Sequence, residues 1–496
     1  MNLFNNLPKA NIKRSMFDLT HTRKTSMKLG ELIPVFCEEV VPGDHFNINT
    51  QHFARLTPMT APIMHRLNAS IHYFFVPSRL LFDKWEEFIT GDLGSPLPTV
   101  DCMDIQVGSL ADHFGIPVRD FDQNLNINVL PFRAYVKIWN DYYREQALEE
   151  EKPIGDATDS QYVHGFPFYK PWEKDYFTSA LPSPQMGQQV SVQGDVILKN
   201  AATVKGSGAQ GAEVLFANVA VNADGSRNIS TAGASSLKLD SVESINIDVN
   251  ELRRATKLQQ WLERASRSGN RYFEHLLAFW GVRSKDERLQ RAEYIGGGKS
   301  PIVISEVANT TGTEDAAQGQ LSGNGLGVGR SNMVSKFCEE HGYIIGIFSV
   351  IPEAVYMQGV RRMFDKKMHL DFYWPDFAQL GEQEVKNQEI FANDEYGNNE
   401  GTFGYQSRYA EYKYIPNTVH GEFRNTLEHW HMARKFDSLP LLNADFIHAD
   451  QIQDPGNPDG PWRVFAVNES ENLYVNFLHT VYAKRPMPFL NNPSLL

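Results

Sequence analysis

A glycine-rich segment, Gly296–Ser300 (GGGKS), has residue types that could bind a phosphate group. A phosphate-binding loop of the form GxxxxGK[ST] needs an earlier glycine and a following helix, because backbone amides at the helix N-terminus hold the phosphate. The earlier position holds Glu293 instead, and Pro301–Ile304 predicts a strand. Gly323–Gly329 (GNGLGVG) likewise lacks the GxGxxG spacing of a dinucleotide site. We interpret the first segment as a glycine turn and the second as a flexible loop.

Residues that could hold a metal or transfer protons are present, but their spacing suits neither task. His429 and His431 can share one face of a strand, yet no carboxylate stands at metal-ligand spacing as in the HExxH zinc motif. Adjacent carboxylates such as Glu38 and Glu39 point to opposite faces of a strand, which is the wrong geometry for an acid–base pair. The sequence therefore predicts no catalytic residue, no metal site and no cofactor, and the histidines are interpreted as a structural pair.

The composition excludes several further classes of protein. The chain has 496 residues, of which 42% are hydrophobic and 12% aromatic, so it can bury a large core and aromatic interfaces. No stretch approaches the roughly eighteen consecutive apolar residues of a transmembrane helix, so membrane insertion is not expected. Cys37, Cys102 and Cys338 are few and widely spaced, which favours free thiols in a reducing cytoplasm over a disulfide framework.

The elements that must position these residues are strands near both ends of the chain and helices between them. Short apolar runs bounded by turn residues predict strands, whereas apolar residues at three- and four-residue steps predict helices. The strand regions are 29–76, 343–351 and 473–482, and the helices are 131–148, 250–267 and 270–280. This order differs from the regular alternation of a doubly wound sheet.

The composition changes abruptly between residues 185 and 246. Gly, Ala, Ser, Asn and Val dominate there, and Phe216 is the only aromatic residue. Alternating fragments such as VSVQGDVIL, separated by glycine-rich turns, favour short β-hairpins on an exposed insertion. A flexible linker is the alternative interpretation.

Charge is distributed unevenly along an acidic chain. The formal net charge is −13, which disfavours a dedicated nucleic-acid-binding protein, but residues 1–30 carry one acid, Asp18, against six cations. These cations are Lys9, Lys13, Arg14, Arg23, Lys24 and Lys28. A second basic stretch spans residues 252–291. A basic arm on an acidic body is typical of contact with a polyanion on one face, and a solvated, partly disordered terminus is the alternative.

Several long strings resemble the major capsid protein of the microviruses, small icosahedral single-stranded DNA phages, and specifically its gokushovirus-like branch. The resemblance runs from about residue 16 to 488, and strings of this length are far more specific than the short motifs above. They include LPFRAYVKIWNDYYREQ (130–146), GVRSKDERLQRAEYIGGGKSPIVISEV (281–307), HGYIIGIFSVIPEAVYMQG (341–359), DFYWPDFAQLGEQEVKN (371–387), FGYQSRYAEYKYIPNTVHGEFR (403–424) and YAKRPMP (482–488).

The resemblance implies a mainly β fold, an eight-stranded antiparallel jelly-roll β-sandwich with large helical and loop insertions. It implies a basic N-terminal arm at 1–30 and a jelly-roll domain at 31–496. The insertion at 185–246 falls where this branch carries protrusions at the three-fold axes that engage the host. About sixty copies would form a T=1 icosahedral shell around a circular single-stranded DNA genome.

The implied partners follow from the shell. With the arms facing inward, the shell supplies about three hundred positive charges, too few to neutralise a kilobase genome. A small basic DNA-packaging protein is therefore expected, together with an internal scaffolding protein during assembly and a receptor on the host surface. The protein is expected in the virion capsid, after assembly in the host bacterial cytoplasm.

Aromatic residues are expected at the contacts between subunits, because Tyr, Trp and Phe contribute most per residue at interfaces. We assign this role to residues in 162–177 and 371–391: Trp172, Tyr176, Phe177, Tyr373, Trp374 and Phe377. Two rival classes are a phage-associated carbohydrate-binding or glycoside-cleaving β-protein and a cytoplasmic single-strand DNA-binding protein. The first requires paired carboxylates across a groove, and the second is expected to be basic overall.

Overall fold

The computed structural model describes residues 13–91, 96–118, 125–187, 249–308, 321–392, 398–449, 461–466 and 471–489, with residues 94 and 319. Between 188 and 248 it describes only the backbone of short strands. The chain divides into two compact units. The first consists of Met1–Pro184 with Gly269–Leu496, and the second is Gln185–Ser268.

The first unit is built on a large antiparallel sheet of ten strand segments. Two pairs of segments continue one another along the same neighbouring strand, so the ten segments occupy eight positions. In chain order these are β1 (Ser15–Asp18 and His21–Met27), β2 (Ile33–Val40), β3 (His45–Leu56), β4 (Leu67–Pro77), β5 (Glu293–Ala308), β6 (Leu321–Arg330 and Val334–Phe337), β7 (Gly342–Pro352) and β8 (Leu473–Arg485).

The order of these strands is that of a jelly roll. They run β1-β8-β3-β6 in one half of the sheet and β5-β4-β7-β2 in the other. Strand β5 links the halves, because residues 293–302 pair with β4 and residues 303–308 pair with β6. Two four-stranded halves in this order form the double Greek key of a jelly-roll sandwich. The predicted eight-stranded antiparallel fold is confirmed.

The two halves pack face to face through aromatic side chains. Phe348 of β7 meets Phe477 of β8 with ring centroids 4.9 Å apart, and Phe36 of β2 lies 5.5 Å from the His479 ring. Because successive residues of a strand point to opposite faces, every second residue of these strands enters this core. In β8 the buried positions are 473, 475, 477, 479, 481 and 483.

A small polar cluster lies inside this aromatic core. The Thr50 hydroxyl hydrogen-bonds to the Tyr73 hydroxyl and lies 2.8 Å from Nδ1 of His479. Burial lowers the pKa of His479 to about 3 and raises the pKa of Tyr73. Both side chains are therefore neutral at neutral pH, and the hydrogen bond that each makes with Thr50 offsets part of the cost of removing it from water.

Helices cover the outer face of the second half-sheet. They are α1 (Trp85–Ile89), α2 (Leu110–Phe114), α3 (Leu130–Ile138), which continues as a π-turn at Trp139–Tyr143, and α4 (Asp156–His164). Their apolar faces form a second core with Leu32 and Phe74. The Tyr135 hydroxyl donates to the carbonyl of Leu32 at 2.9 Å, which attaches α3 to the sheet. Helix α3 ends before the predicted residue 148, because Arg144 adopts an extended conformation.

The other elements of the first unit are short. They comprise α6 (Tyr272–Trp280), α7 (Asn387–Ile390), α8 (Ala444–Ile447) and the strand pairs Thr99–Asp101 with Asn126–Asn128 and Glu382–Lys386 with Thr402–Ser407. Short 3-10 turns lie at Ser78–Leu80, Arg362–Phe364, His369–Asp371, Pro375–Phe377, Ala410–Tyr412, Gly421–Arg424, Glu428–Trp430 and Pro461–Val464.

The second unit contains short strands followed by a helix, α5 (Val249–Ser268). The pairings described among its strands are antiparallel: Asp195–Leu198 with Val242–Asn246, Val204–Gly208 with both Glu213–Phe216 and Ala234–Leu239, and Ala220–Val221 with Arg227–Asn228. The alternation in 185–246 predicted such hairpins.

Both glycine-rich segments lie in strands, which corrects their interpretation as a turn and a loop. Residues 296–300 belong to β5, and residues 323–329 belong to β6. In β6 the glycines at alternate positions face inward, where neighbouring atoms leave no room for a side chain. A Cβ on Gly323 would lie 2.5 Å from the carbonyl oxygen of Ala61. Glycine spacing here reflects close packing.

We expect Gly323→Ala to destabilise the first unit by about 1–3 kcal/mol, because the added methyl group meets backbone atoms that cannot move aside. Asn324→Ala is the matched control, since the neighbouring side chain is exposed on the opposite face of the same strand. Thermal unfolding of both variants measures the difference. Equal melting temperatures would show that the backbone at Ala61 can yield.

Candidate functional site

The outer face of the half-sheet β1-β8-β3-β6 carries side chains that point to solvent, because their strand neighbours fill the core. It is unusual in exposing aromatic and aliphatic groups among cations. We call this surface the open sheet face. It comprises Lys24, Gln51, Phe53, Arg55, Leu326, Val328, Arg330, Tyr474, Asn476, Leu478, Tyr482 and Lys484.

The strand register places rings and cations side by side on the open sheet face. Asn476 of β8 lies opposite both Lys24 of β1 and Phe53 of β3. One step along the strands, Tyr474 lies opposite Arg55, whose guanidinium carbon is 5.9 Å from the centroid of the Phe53 ring. Side chains on directly paired positions are within about 5.5 Å of each other, so these groups form one continuous patch.

The charge of the open sheet face is opposite to that of the whole chain. Strands β3, β6 and β8 contain no Asp or Glu, whereas the net charge of the chain is −13. In β1 the single acid is Asp18, which is exposed on the same face opposite Tyr482. Hydrogen bonds from Thr20 lower the pKa of Asp18, so the face carries this one anion among its cations. Exposed rings can stack on bases and exposed cations can pair with phosphates. This surface therefore has the chemistry of a single-strand nucleic-acid platform.

A groove of about 980 Å³ lies at one end of the open sheet face. Lys24, Phe53 and Tyr474 line it from the sheet, and Asp112 and Glu471 line its other side. The two carboxylates repel phosphate, so this end of the groove is electrostatically less suited to a polyanion than the strands are.

The predicted basic residues of the N-terminus fall into different surroundings. Lys9 lies outside the described residues. Lys13 is exposed, and the Arg14 guanidinium carbon is 5.5 Å from the exposed ring of Phe337. Residues 15–18 and 21–27 are in β1, so the predicted arm at 1–30 overlaps a strand of the sandwich.

The remaining predicted cations are divided between the surface and the fold. Lys24 reaches the open sheet face. Arg23 points the other way, because its guanidinium donates to the carbonyl of His113, and Lys28 is half-buried beside Glu31, which accepts from the Lys28 backbone amide at 2.8 Å. Lys24 is thus well placed to meet a polyanion, whereas Arg23 attaches β1 to α2.

Counting charges along the sequence identified basic residues but did not identify the aromatic residues of the open sheet face. Phe53, Arg55 and Tyr474 were not among the predicted site residues. The available signal was the alternation in β8 (LYVNFLHTVYAKR), where aromatic or aliphatic residues occupy both faces of one strand. A strand with apolar side chains on both faces either is buried on both faces or has a binding surface on one of the two faces.

A second exposed apolar surface lies in residues 360–380, and we call it the aromatic loop surface. Its exposed large residues are Val360, Met363, Phe364, Met368, Leu370, Phe372, Tyr373, Trp374, Phe377 and Leu380. The surface is held in place, since Trp374 Nε1 donates to the carbonyl of His369 at 2.8 Å and the Tyr373 ring lies 4.9 Å from Tyr409. Monomeric proteins rarely expose such patches, which usually mark contacts with other proteins.

The other three residues predicted at subunit contacts are buried within the chain, which corrects that expectation. Trp172 is 4% exposed, and its Nε1 donates to the carbonyl of His448 at 3.1 Å. The Tyr176 hydroxyl donates to Glu389 at 3.0 Å, and Phe177 packs on Tyr356 at 4.7 Å. Most of their aromatic surface is used by the core, so these side chains do not form an exposed contact surface of their own.

Within the described ranges, no group of three or more His, Cys, Asp and Glu side chains could hold a metal ion. His431 fits the predicted structural role, because its Nε2 lies 2.7 Å from the carbonyl of Phe423 and its Nδ1 accepts from the Ala433 amide at 3.1 Å. None of the helices in the described part of the chain has the length and apolar character needed to cross a bilayer.

Comparison with known proteins gives consistent matches along the chain. The family described as capsid protein (F protein) matches residues 5–495. The chain is 33% identical to capsid protein VP1 of Chlamydia phage 1, over 100% of this chain and 98% of the relative. It is 36% identical to capsid protein VP1 of Bdellovibrio phage phiMH2K, over 90% of each chain. For capsid protein VP1 of Spiroplasma virus 4, the identity is 30% over 98% of this chain and 96% of the relative.

The burial difference between the two tryptophans predicts different outcomes for their substitution. We expect Trp172→Ala to lower the free energy of unfolding by about 3–5 kcal/mol, because it opens a cavity in the core. Trp374→Ala, at a side chain 46% exposed in the chain, should change it by about 1 kcal/mol or less. Thermal denaturation of the unassembled chains compares them directly. A Trp172→Ala chain as stable as Trp374→Ala would contradict the burial argument.

Proposed function

The chain belongs to the phage capsid F protein family, of the microvirus, gokushovirus-like kind, and we propose that about sixty copies close into a T=1 shell around circular single-stranded DNA. The family match over residues 5–495 carries this proposal. Membership makes the protein a self-assembling component of a virion. The geometry of the shell, the genome type and the partners below are our proposals, as is the absence of a catalytic role.

We propose that the open sheet face lies on the inside of the shell and contacts the genome. Lys24, Arg55, Arg330 and Lys484 would neutralise phosphates and release counterions, which requires no particular base sequence. Phe53 and Tyr474 would stack on unpaired bases, which also tolerates any sequence. Lys9, Lys13, Arg14 and Lys28 are proposed to add further phosphate contacts near the start of β1.

We propose that the aromatic loop surface, through Tyr373, Trp374 and Phe377, is covered by a neighbouring copy. Exposed aromatic rings contribute strongly to the free energy of association when a neighbouring subunit excludes water around them. A closed shell repeats each such contact by symmetry. The same patch on every copy then stabilises many equivalent interfaces.

Because the chain is acidic overall, we propose a partner that supplies positive charge, and we propose further partners for assembly and for attachment to the host. A separate small basic protein would supply the cations that an acidic chain cannot, and an internal scaffolding protein would hold copies together before closure. Assembly is proposed to take place in the cytoplasm of the bacterial host. Residues 185–246, within the second unit, are proposed to form a protrusion at the three-fold axis that binds a receptor on the host surface.

The genome contact can be tested by expressing the full chain with Phe53→Ser, Arg55→Gln and Tyr474→Ser together. We expect shells to form but to retain less DNA, because stacking and one phosphate contact per copy are lost. Binding of a fluorescent oligothymidine should also depend less on salt, with the slope of log K against log salt falling by about 0.7 for the removed cation. DNA per particle is measured from absorbance ratios after size-exclusion chromatography.

The matched control is Phe166→Ser with Lys84→Gln, which removes an exposed ring and an exposed cation outside the open sheet face. Equal DNA content in the two variants would remove the open sheet face from the proposal. Negative-stain microscopy of the unsubstituted chain tests the shell itself. A monomer that never forms particles would instead support one of the two rival classes.

The role of the insertion is tested by replacing residues 190–240 with a short Gly-Ser linker. We expect particles to assemble, because the second unit has its own strand pairing, and adsorption to host cells to be lost. Particle yield by sedimentation and residual free particles after mixing with cells are the two measurements. Failure to assemble would show that the insertion is structural, and normal adsorption would place receptor binding elsewhere.

A further inference from the structure

A cavity of about 300 Å³ opens beside the aromatic loop surface and has not been assigned a role above. It is walled by Tyr176, Met363, Tyr412, Tyr414 and Pro416, and most of this wall is apolar. The Tyr176 and Tyr414 rings are nearly parallel, with an interplanar angle of 6° and centroids 6.2 Å apart. A mostly apolar wall of this kind suits an apolar side chain.

Four of the five charged residues that line the cavity are paired with one another, and the fifth is Arg361, whose side chain is exposed. Arg362 Nη1 lies 3.0 Å from Glu389, and Lys366 Nζ lies 3.2 Å from Glu411. Lys366 Nζ is also 3.9 Å from the centroid of the Tyr412 ring. Because these four charges already have partners inside the chain, they favour an uncharged occupant over an ionic ligand.

A suitable occupant is present on the chain itself. Phe364 is 70% exposed and lies in sequence between Met363 and Lys366, both of which line the cavity. The Phe364 ring therefore projects from the rim of the cavity into solvent. Leaving its apolar surface in contact with water is energetically unfavourable. A projecting ring and an apolar cavity on the same surface are complementary between two copies that meet head to tail.

We propose that the cavity receives the Phe364 side chain of a second copy of this chain. This inference rests on the proposed self-assembly and specifies one of its contacts. The contact is heterologous, since the ring of one copy fills the cavity of the next. Its repetition closes a ring of subunits when the rotation between neighbours divides a full turn. Each ring inserted into a cavity removes apolar surface from water on both copies.

The contact is tested by photocrosslinking in assembled full-length chains. A benzophenone-bearing phenylalanine analogue replaces Phe364, and chains labelled with ¹⁵N are mixed with unlabelled chains before assembly and irradiation. We expect cross-linked peptides that join a labelled chain to an unlabelled one and that contain residues 412–416. The same analogue at Phe166, which is exposed at a site away from the cavity, is the control and should not label residues 412–416.

A second measurement separates the contact from a general defect. Phe364→Ala should raise the chain concentration needed for assembly by about tenfold, and Phe364→Leu should restore most of it, because leucine still fills the cavity. Particles that form with cross-links only within one chain, or only to other segments, would overturn this inference and leave the proposed function intact. Particles that never form from the unsubstituted chain would overturn both, and an unchanged concentration for Phe364→Ala would overturn the contact alone.

Discussion

Face-to-face packing of the two half-sheets is the constraint on which the rest of this structure depends. Each strand has side chains on both faces, and the inner ones form a single aromatic core through Phe348, Phe477 and His479. The inner side chains fill the core, and the outer faces of the two half-sheets differ in what covers them. The helices α1–α4 cover one, where Leu32 and Phe74 are buried. The other carries the exposed rings and cations of the open sheet face, and that asymmetry creates a functional surface.

Close packing on the inner side of β6, against residues 61–62 and the neighbouring strands, explains why its inward positions are glycines. The Ala61 carbonyl approaches Gly323 so closely that no side chain fits on the inner face, while the outward neighbours Leu326 and Val328 are exposed. A thin strand lets β6 lie close to adjoining segments at the junction where β5 passes from one half-sheet to the other. In β6, glycines that allow close packing on the inner face therefore alternate with apolar residues that are exposed on the outer face.

The sequence predicted the fold class and the strands in 29–76, 343–351 and 473–482, because alternation and flanking turn residues are local signals. It missed the strand structure of 296–300 and 323–329, because their glycines are typical of turns and loops. The run at 343–351 and the run at 473–482 are both strands, and family strings supplied the jelly-roll order. Three aromatic residues were placed at subunit contacts although they are buried, since a sequence shows that Trp172 is apolar but not which surface buries it. Phe53 and Tyr474 were missed for the converse reason. Their exposure depends on pairing between strands far apart in the chain.

Self-association of this chain requires apolar contact to exceed electrostatic repulsion. Copies with a net charge of −13 repel one another, which opposes contact through the exposed side chains of Phe364 and Trp374. Added salt screens that repulsion and also weakens contacts between cations and DNA phosphates. Salt thus acts in opposite directions on the two proposed surfaces, favouring contact between copies while loosening the genome. The apolar rings proposed for subunit contact and the cations proposed for genome contact lie on different segments of the chain, so the two contacts can be changed independently.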